Sequence, residues 1–131
     1  MAGYSGTPLV KKLGIKDGFT VRFVHAPEHL QDLIGPLPTG VTESQVGCDF
    51  IHAFYTERST FEADVSGFLD AINRDGMIWI SWPKKASRVP TDMTEDVVRT
   101  VALPLGLVDV KVCAVDDVWS GLKLVIRKEL R

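Results

Sequence analysis

The chain has 131 residues, 45% of them hydrophobic and 24% charged, and a formal net charge of -2 at pH 7. That length suits one domain able to bury roughly two thirds of the surface its unfolded chain would expose, and the composition excludes disordered and fibrous classes. So small a charge gives no overall field to gather nucleic acid or an anionic membrane surface, which leaves only a local patch to do so. Cys48 and Cys113 stand far apart and outside any C-x-x-C pair, which favours reduced, buried thiols over a disulfide framework or a thiolate zinc site. The opening MAGYSGTPLVKKLG has no apolar leader core, and no apolar run approaches the roughly 18 residues of a membrane span. A cytoplasmic location is expected.

In chain order, Pro8 to Leu13 forms a short apolar turn, and Phe19 to His25, rich in Val and Phe, suits a buried first strand. Pro27 is placed to open a helix through Ile34, closed by Gly35-Pro36. Residues 35 to 48, with GPLPTG, read as a loop. Phe50 to Tyr55 is the second core strand. Ser59 with Glu62 predicts a capping box, followed by an apolar stripe of Phe61, Val65, Phe68, Leu69 and Ile72 that ends at Asp75-Gly76. Met77 to Trp82 is a continuous apolar run stopped by Pro83, the pattern of a central strand covered on both faces. Asp92 with Glu95 predicts a second capping box for a helix through Ala102, stopped by Pro104 and Gly106. Alternating residues from Val108 and from Leu122 then predict a closing hairpin around Asp116 to Gly121.

Three stretches carry a likeness to the class I methyltransferases: DFIHAFY (Asp49 to Tyr55) resembles that family's fourth strand, INRDGMIWISW (Ile72 to Trp82) its leucine, basic, proline, glycine, glycine turn and fifth strand, and ALPLGLVDVKVCAVD its last helix, Gly-containing turn and sixth strand. MAGYSGTPLVKKLGIK, WPKK and WSGLKLVIRK also resemble a family of small uncharacterised bacterial proteins, a domain of unknown function. The resemblance implies one α/β domain over residues 1 to 131. Its expected architecture is three-layer and Rossmann-like, a mostly parallel sheet of about five strands with a C-terminal antiparallel hairpin, like a truncated class I methyltransferase. These stretches encode sheet packing rather than chemistry.

The chain departs from that family where S-adenosylmethionine would bind. The family follows its first strand with a Gly-rich loop that lets the cofactor approach the backbone. Here the loop is His25-Ala26-Pro27-Glu28-His29, which has no glycine and loses one N-H at Pro27. The acidic residue that would hold the ribose ends a second strand, and residues 47 to 49 are too short to recross a sheet. Val41 to Val46 is therefore not expected to form that parallel strand. No cofactor is expected, and the outer edge of the first strand is expected to be open for assembly as a homodimer.

In an open parallel sheet ligands bind at the carboxyl ends of the strands. That edge should gather His25, Glu28 and His29, then Thr56, Glu57 and Arg58, then Trp82, Lys84, Lys85 and Arg88, with Trp119 and Ser120 from the hairpin. Two tryptophans and several cations suit a small anionic or nucleotide-like ligand; the plainer reading has the tryptophans capping the core and the cations solvated. His25 to His29 spells H-x-x-E-H, but Pro27 keeps His25 out of the helix that a zinc protease site needs, so no metal is expected. His52 reads as a hydrogen-bonded core histidine rather than a base, and Ser120 lacks the turn of a hydrolase nucleophile. The basic segment Lys84 to Arg88 reads as a solvated loop, so neither nucleic acid nor membrane is an expected partner. The expected function is a non-enzymatic ligand-binding or interaction module; the alternative is a reduced methyltransferase or other small-molecule enzyme.

Overall fold

The computed structural model describes residues 8 to 131, so the first seven residues of the opening stretch in which no leader is expected lie outside the described residues. The chain runs α1 (Leu9–Leu13), β1 (Thr20–Val24), α2 (Leu30–Ile34), β2 (Thr42–Glu43), β3 (Cys48–Phe54), α3 (Arg58–Ala71), β4 (Ile72–Pro83), α4 (Glu95–Ala102), β5 (Leu107–Ala114) and β6 (Trp119–Ile126). Six strands form one sheet in the order β2-β1-β3-β4-β6-β5. β1 to β4 pair in parallel, and β6 runs antiparallel to both β4 and β5. This is the expected α/β architecture with its reversed last strand, one strand richer than expected. No helix among the described residues is long and apolar enough to cross a membrane.

Alternation along the strands divides the core in two. Ile51, Ala53, Tyr55, Ile78, Ile80 and Trp82 pack under α3 and α4 with Leu122 and Leu124. Val21, Phe50, Phe54 and Trp79 pack on the other face with Leu13 of α1 and Leu30 and Ile34 of α2. Because β3 and β4 lie inside the sheet with apolar layers on both sides, they read as nearly continuous hydrophobic runs.

The additional strand corrects the reading of residues 35 to 48 as loop. Thr42 and Glu43 pair in parallel with Thr20 and Val21, on the edge of β1 opposite β3. The connection succeeds because β2 is two residues long: Glu43 and Phe50 both lie level with Val21, so the link spans only about two strand spacings, roughly 10 Å, without travelling back along a strand. The Ser44 N–H donates to Val21 O, the Arg22 guanidinium to Gln45 O and the Cys48 thiol to Ser44 O. Asp49 then accepts the Thr20 N–H on one carboxylate oxygen and the Asn73 amide on the other. The edge of β1 expected to be open is thus paired at its start.

Helix starts differ as well. Ser59 and Glu62 form no capping box; Glu57 occupies the N-cap of α3 without a side-chain cap, and the first helical N–H, at Arg58, donates to Asp92. Asp92 is therefore not the cap of α4, whose N-cap is Thr94, accepting the Val97 N–H at 3.1 Å. Ile72 leaves the helical stripe and begins β4 opposite Cys48. Pro27 opens a turn, with the Leu30 N–H donating to Pro27 O, and regular helix starts only at Leu30.

His52 is fully buried, stacked on Phe54 and bonded through Nε2 to the Ser81 hydroxyl at 2.7 Å, while its Nδ1 has no partner. Burial pushes its pKa down to about 3. The unfolded chain therefore binds a proton near pH 6.5 that the folded chain refuses until about pH 3, so stability falls as pH drops through that window. The expected slope from this residue is up to about 1.4 kcal/mol per pH unit. Denaturant unfolding from pH 7 to pH 4 should show it, and His52→Phe should flatten it.

Candidate functional site

The carboxyl ends of β1 and β3 open on a pocket of about 260 Å³ lined by His25, Phe54, Tyr55, Thr56, Glu57, Thr60 and Trp119. His25 ends β1 in the left-handed conformation, φ 55°, which costs a non-glycine residue about 1 kcal/mol or more. Its ring meets α3: His25 Nε2 lies 3.3 Å from Asp64 Oδ2, and the ring stands edge-on to Tyr55. The Tyr55 hydroxyl donates to the same Asp64 oxygen at 2.8 Å. Burial, then the hydrogen bond to Asp64 and its charge, raise the Tyr55 phenol well above its usual range. Tyr55 is thus a fixed neutral donor, and Asp64 joins the end of β1 to the end of β3. A wider groove of about 490 Å³ continues along Arg22, Val24 and Phe68.

On the far side of the pocket Trp119 packs edge-on against Phe54, ring centroids 5.2 Å apart. Asp116 holds that corner. One of its oxygens accepts the N–H groups of Val118 and Trp119, and the other lies 2.7 Å from His29 Nε2. Burial raises the Asp116 carboxyl, but the Trp119 N–H, His29 and the Val118 N–H outweigh it and hold it below the usual range.

Of the residues singled out by sequence, the pocket brings together His25, Thr56, Glu57 and Trp119. Glu28 is exposed outside it. Trp82 is 6% exposed and belongs to the core under α3 and α4. Ser120 lies opposite Trp82, and alternation turns both to the face away from Trp119. Lys84 closes a turn, its N–H donating to Val118 O, and Lys85 and Arg88 are exposed beyond it. His25 and His29 engage separate carboxylates, Asp64 and Asp116, and among the described residues no group of three His, Cys, Asp or Glu side chains could hold a metal. Asp64, Tyr55 and Thr60 had no sequence signal, since they meet His25 only through packing of α3 on β3.

No family model matches the chain, and no curated protein matches it. Solved structures do. The chain is similar to a SAM-dependent methyltransferase from Aquifex aeolicus, with 13% identity and a TM-score of 0.64 over 90% of this chain and 88% of that one. It is similar to Aeropyrum pernix fibrillarin in complex with S-adenosylmethionine, with 12% identity and a TM-score of 0.58 over 95% and 71%. Magnesium protoporphyrin IX methyltransferase from Synechocystis with bound S-adenosylmethionine has 11% identity and a TM-score of 0.56 over 90% and 74%. At these identities the likeness is one of fold. It corrects the expectation of a non-enzymatic module, because the scaffold this chain shares is that of methyl-transfer enzymes.

Asp64→Asn should lower the titration of Tyr55 while leaving it above an exposed tyrosine, since burial, the larger cause, remains. Ultraviolet titration of the phenolate checks this; an unchanged midpoint would remove Asp64 from the site.

Proposed function

We propose that this chain is a compact S-adenosylmethionine-dependent methyltransferase working at the His25–Tyr55–Trp119 pocket. The observation that carries the reading is the turn at His25. A residue that is not glycine adopts the left-handed conformation at the end of β1, and its side chain is drawn to Asp64 rather than across the turn. The sharp turn for which the family uses glycine is therefore made without it. The residues fit the reactive end of the cofactor: the turn at His25, with Thr56, Glu57 and Thr60, would hold it. Glu43 ends β2, as the acidic residue of the family does, but it is level with Val21, three residues below the end of β1, roughly 10 Å short of the pocket edge.

When bound, S-adenosylmethionine supplies an electrophilic methyl group on a sulfonium and leaves as the neutral thioether. The chain supplies the proton acceptor. With the Nε2–H of neutral His25 donated to Asp64, Nδ1 carries the lone pair and takes the proton from the hydroxyl or amine being methylated. Asp64 fixes that tautomer and stabilises the imidazolium that forms, and the Tyr55 hydroxyl holds the carboxylate in place. Trp119, with Phe54 packed edge-on against it, supplies an apolar wall for the acceptor.

The test is saturable thermal stabilisation by S-adenosylmethionine, which at 100 times its dissociation constant adds about 2.7 kcal/mol. His25→Gln should retain that stabilisation while lowering S-adenosylhomocysteine release by roughly 100-fold or more. Absence of stabilisation by either form of the cofactor would defeat the proposal.

A further inference from the structure

Beyond Val21 the outer edge of β1 has no partner strand. Phe19 O and Val21 O accept the Thr42 and Ser44 N–H groups, so alternation turns the N–H and C=O of Phe23 and the N–H of His25 toward the same edge. β2 ends at Glu43, and the link then leaves for β3 with the Arg22 guanidinium on Gln45 O. Among the described residues no group bonds to Phe23 or to the His25 N–H along that edge. The place where a longer β2 would continue is open.

The groove of about 490 Å³ lies alongside. Its direction is set by α3, which runs back along β1: Phe68 lies under the Arg22 guanidinium, 5.5 Å from its ring centroid, and four residues earlier Asp64 meets His25. Half-buried Val24 lines the groove between them, and Ala63, Ser66 and Gly67 line it from α3. Water can satisfy an edge this short. It does not account for Gly67, an exposed glycine in the interior of α3. Glycine weakens a helix relative to alanine, yet a Cβ at Gly67 would meet no atom within 4 Å. Nothing packed inside the molecule requires it, whereas a chain lying in the groove would.

Main-chain groups at a sheet edge are complemented by another main chain, and a groove on one side of that edge takes alternate side chains; the two together fit an extended peptide. The groove also carries one charge of each sign, Arg22 at one end and Asp64 at the other, and it runs into the pocket because His25 lines both.

We propose that an extended peptide docks along the free edge of β1, pairing its main chain with Phe23 and His25 and laying alternate side chains in the groove, so that one side chain reaches His25. An acidic side chain suits the Arg22 end. The acceptor class is then a hydroxyl or amine side chain of a polypeptide, a statement that rests on the methyltransferase reading, while docking itself can be measured without the cofactor. In that chemistry the acceptor's proton passes to His25 Nδ1 as its oxygen or nitrogen gains the methyl group and the carbon–sulfur bond breaks.

The experiment is fluorescence anisotropy of the full chain with a labelled peptide, acetyl-TETVTKT-amide, whose Glu, Val and Lys share one face. Saturable binding is expected, with the Phe23 and His25 amides gaining protection from hydrogen exchange. Only alternate N–H groups of an added strand face β1. N-methylation of one alternate set, the third and fifth or the fourth and sixth residues, should therefore weaken binding roughly tenfold or more, and the other set should leave it intact. Gly67→Leu should weaken binding by a similar factor without lowering the melting temperature, because leucine favours helix over glycine. No saturable binding, no protection at Phe23, equal effects of the two methylated sets, or equal binding by Gly67→Leu would overturn the proposal. So would displacement of the peptide by S-adenosylmethionine, which would give the groove to the cofactor. Cofactor stabilisation without peptide binding would sink the docking alone; the converse would sink the methyltransferase reading and leave the docking.

Discussion

The indole N–H of Trp79 is the interaction around which one side of the molecule is arranged. β4 lies inside the sheet, and Trp79 is fully buried on the face under α1 and α2. An indole donor left unpaired there would cost about 1–3 kcal/mol. It donates instead to Leu13 O at 2.9 Å, which fastens the last turn of α1 to the centre of the sheet. Gly14 then turns away at φ 87°, and a Cβ there would sit 3.4 Å from Met77. That anchoring seats Leu13 and Ile15 in the core and sets Lys12 beside Lys111.

The candidate site follows from a second constraint, the shortness of β2. Two residues suffice to pair the lower edge of β1, and the link to β3 then crosses within a few residues. β1 and β3 become neighbours, so His25 and Tyr55 end up side by side, and α3, beginning directly after β3, delivers Asp64 to both. The strain at His25 is held by these contacts: a bond to Asp64 and an edge-on ring contact with Tyr55 offset a cost of about 1 kcal/mol or more. Trp119 enters from the reversed strand β6, its N–H fixed by Asp116, so the pocket wall depends on the hairpin as well as on the parallel strands.

The pocket joins the ends of β1 and β3 with Trp119 of the reversed strand β6, and Lys111 of β5 reaches back to the Lys12 carbonyl of α1 near the other end of the chain.

Strand positions and the reversed hairpin were legible in the amino-acid order, because runs such as Met77 to Trp82 and the alternation after Leu122 are direct consequences of burial on two faces or one. The carboxyl edge was legible too, and with it His25, Thr56, Glu57 and Trp119. Caps were less so: Asp92 has the residue type of an N-cap, yet its carboxylate serves Arg58 of another helix, a choice made by packing. Only tertiary structure decided that Trp82 and Ser120 turn away from Trp119, that Thr42 and Glu43 pair with β1, that Asp64 unites His25 with Tyr55, and that Lys111 meets Lys123 across the strands and the Lys12 carbonyl of α1. Hydrophobic period is a local property written into neighbouring residues, whereas a site depends on distances between residues that the chain order leaves far apart.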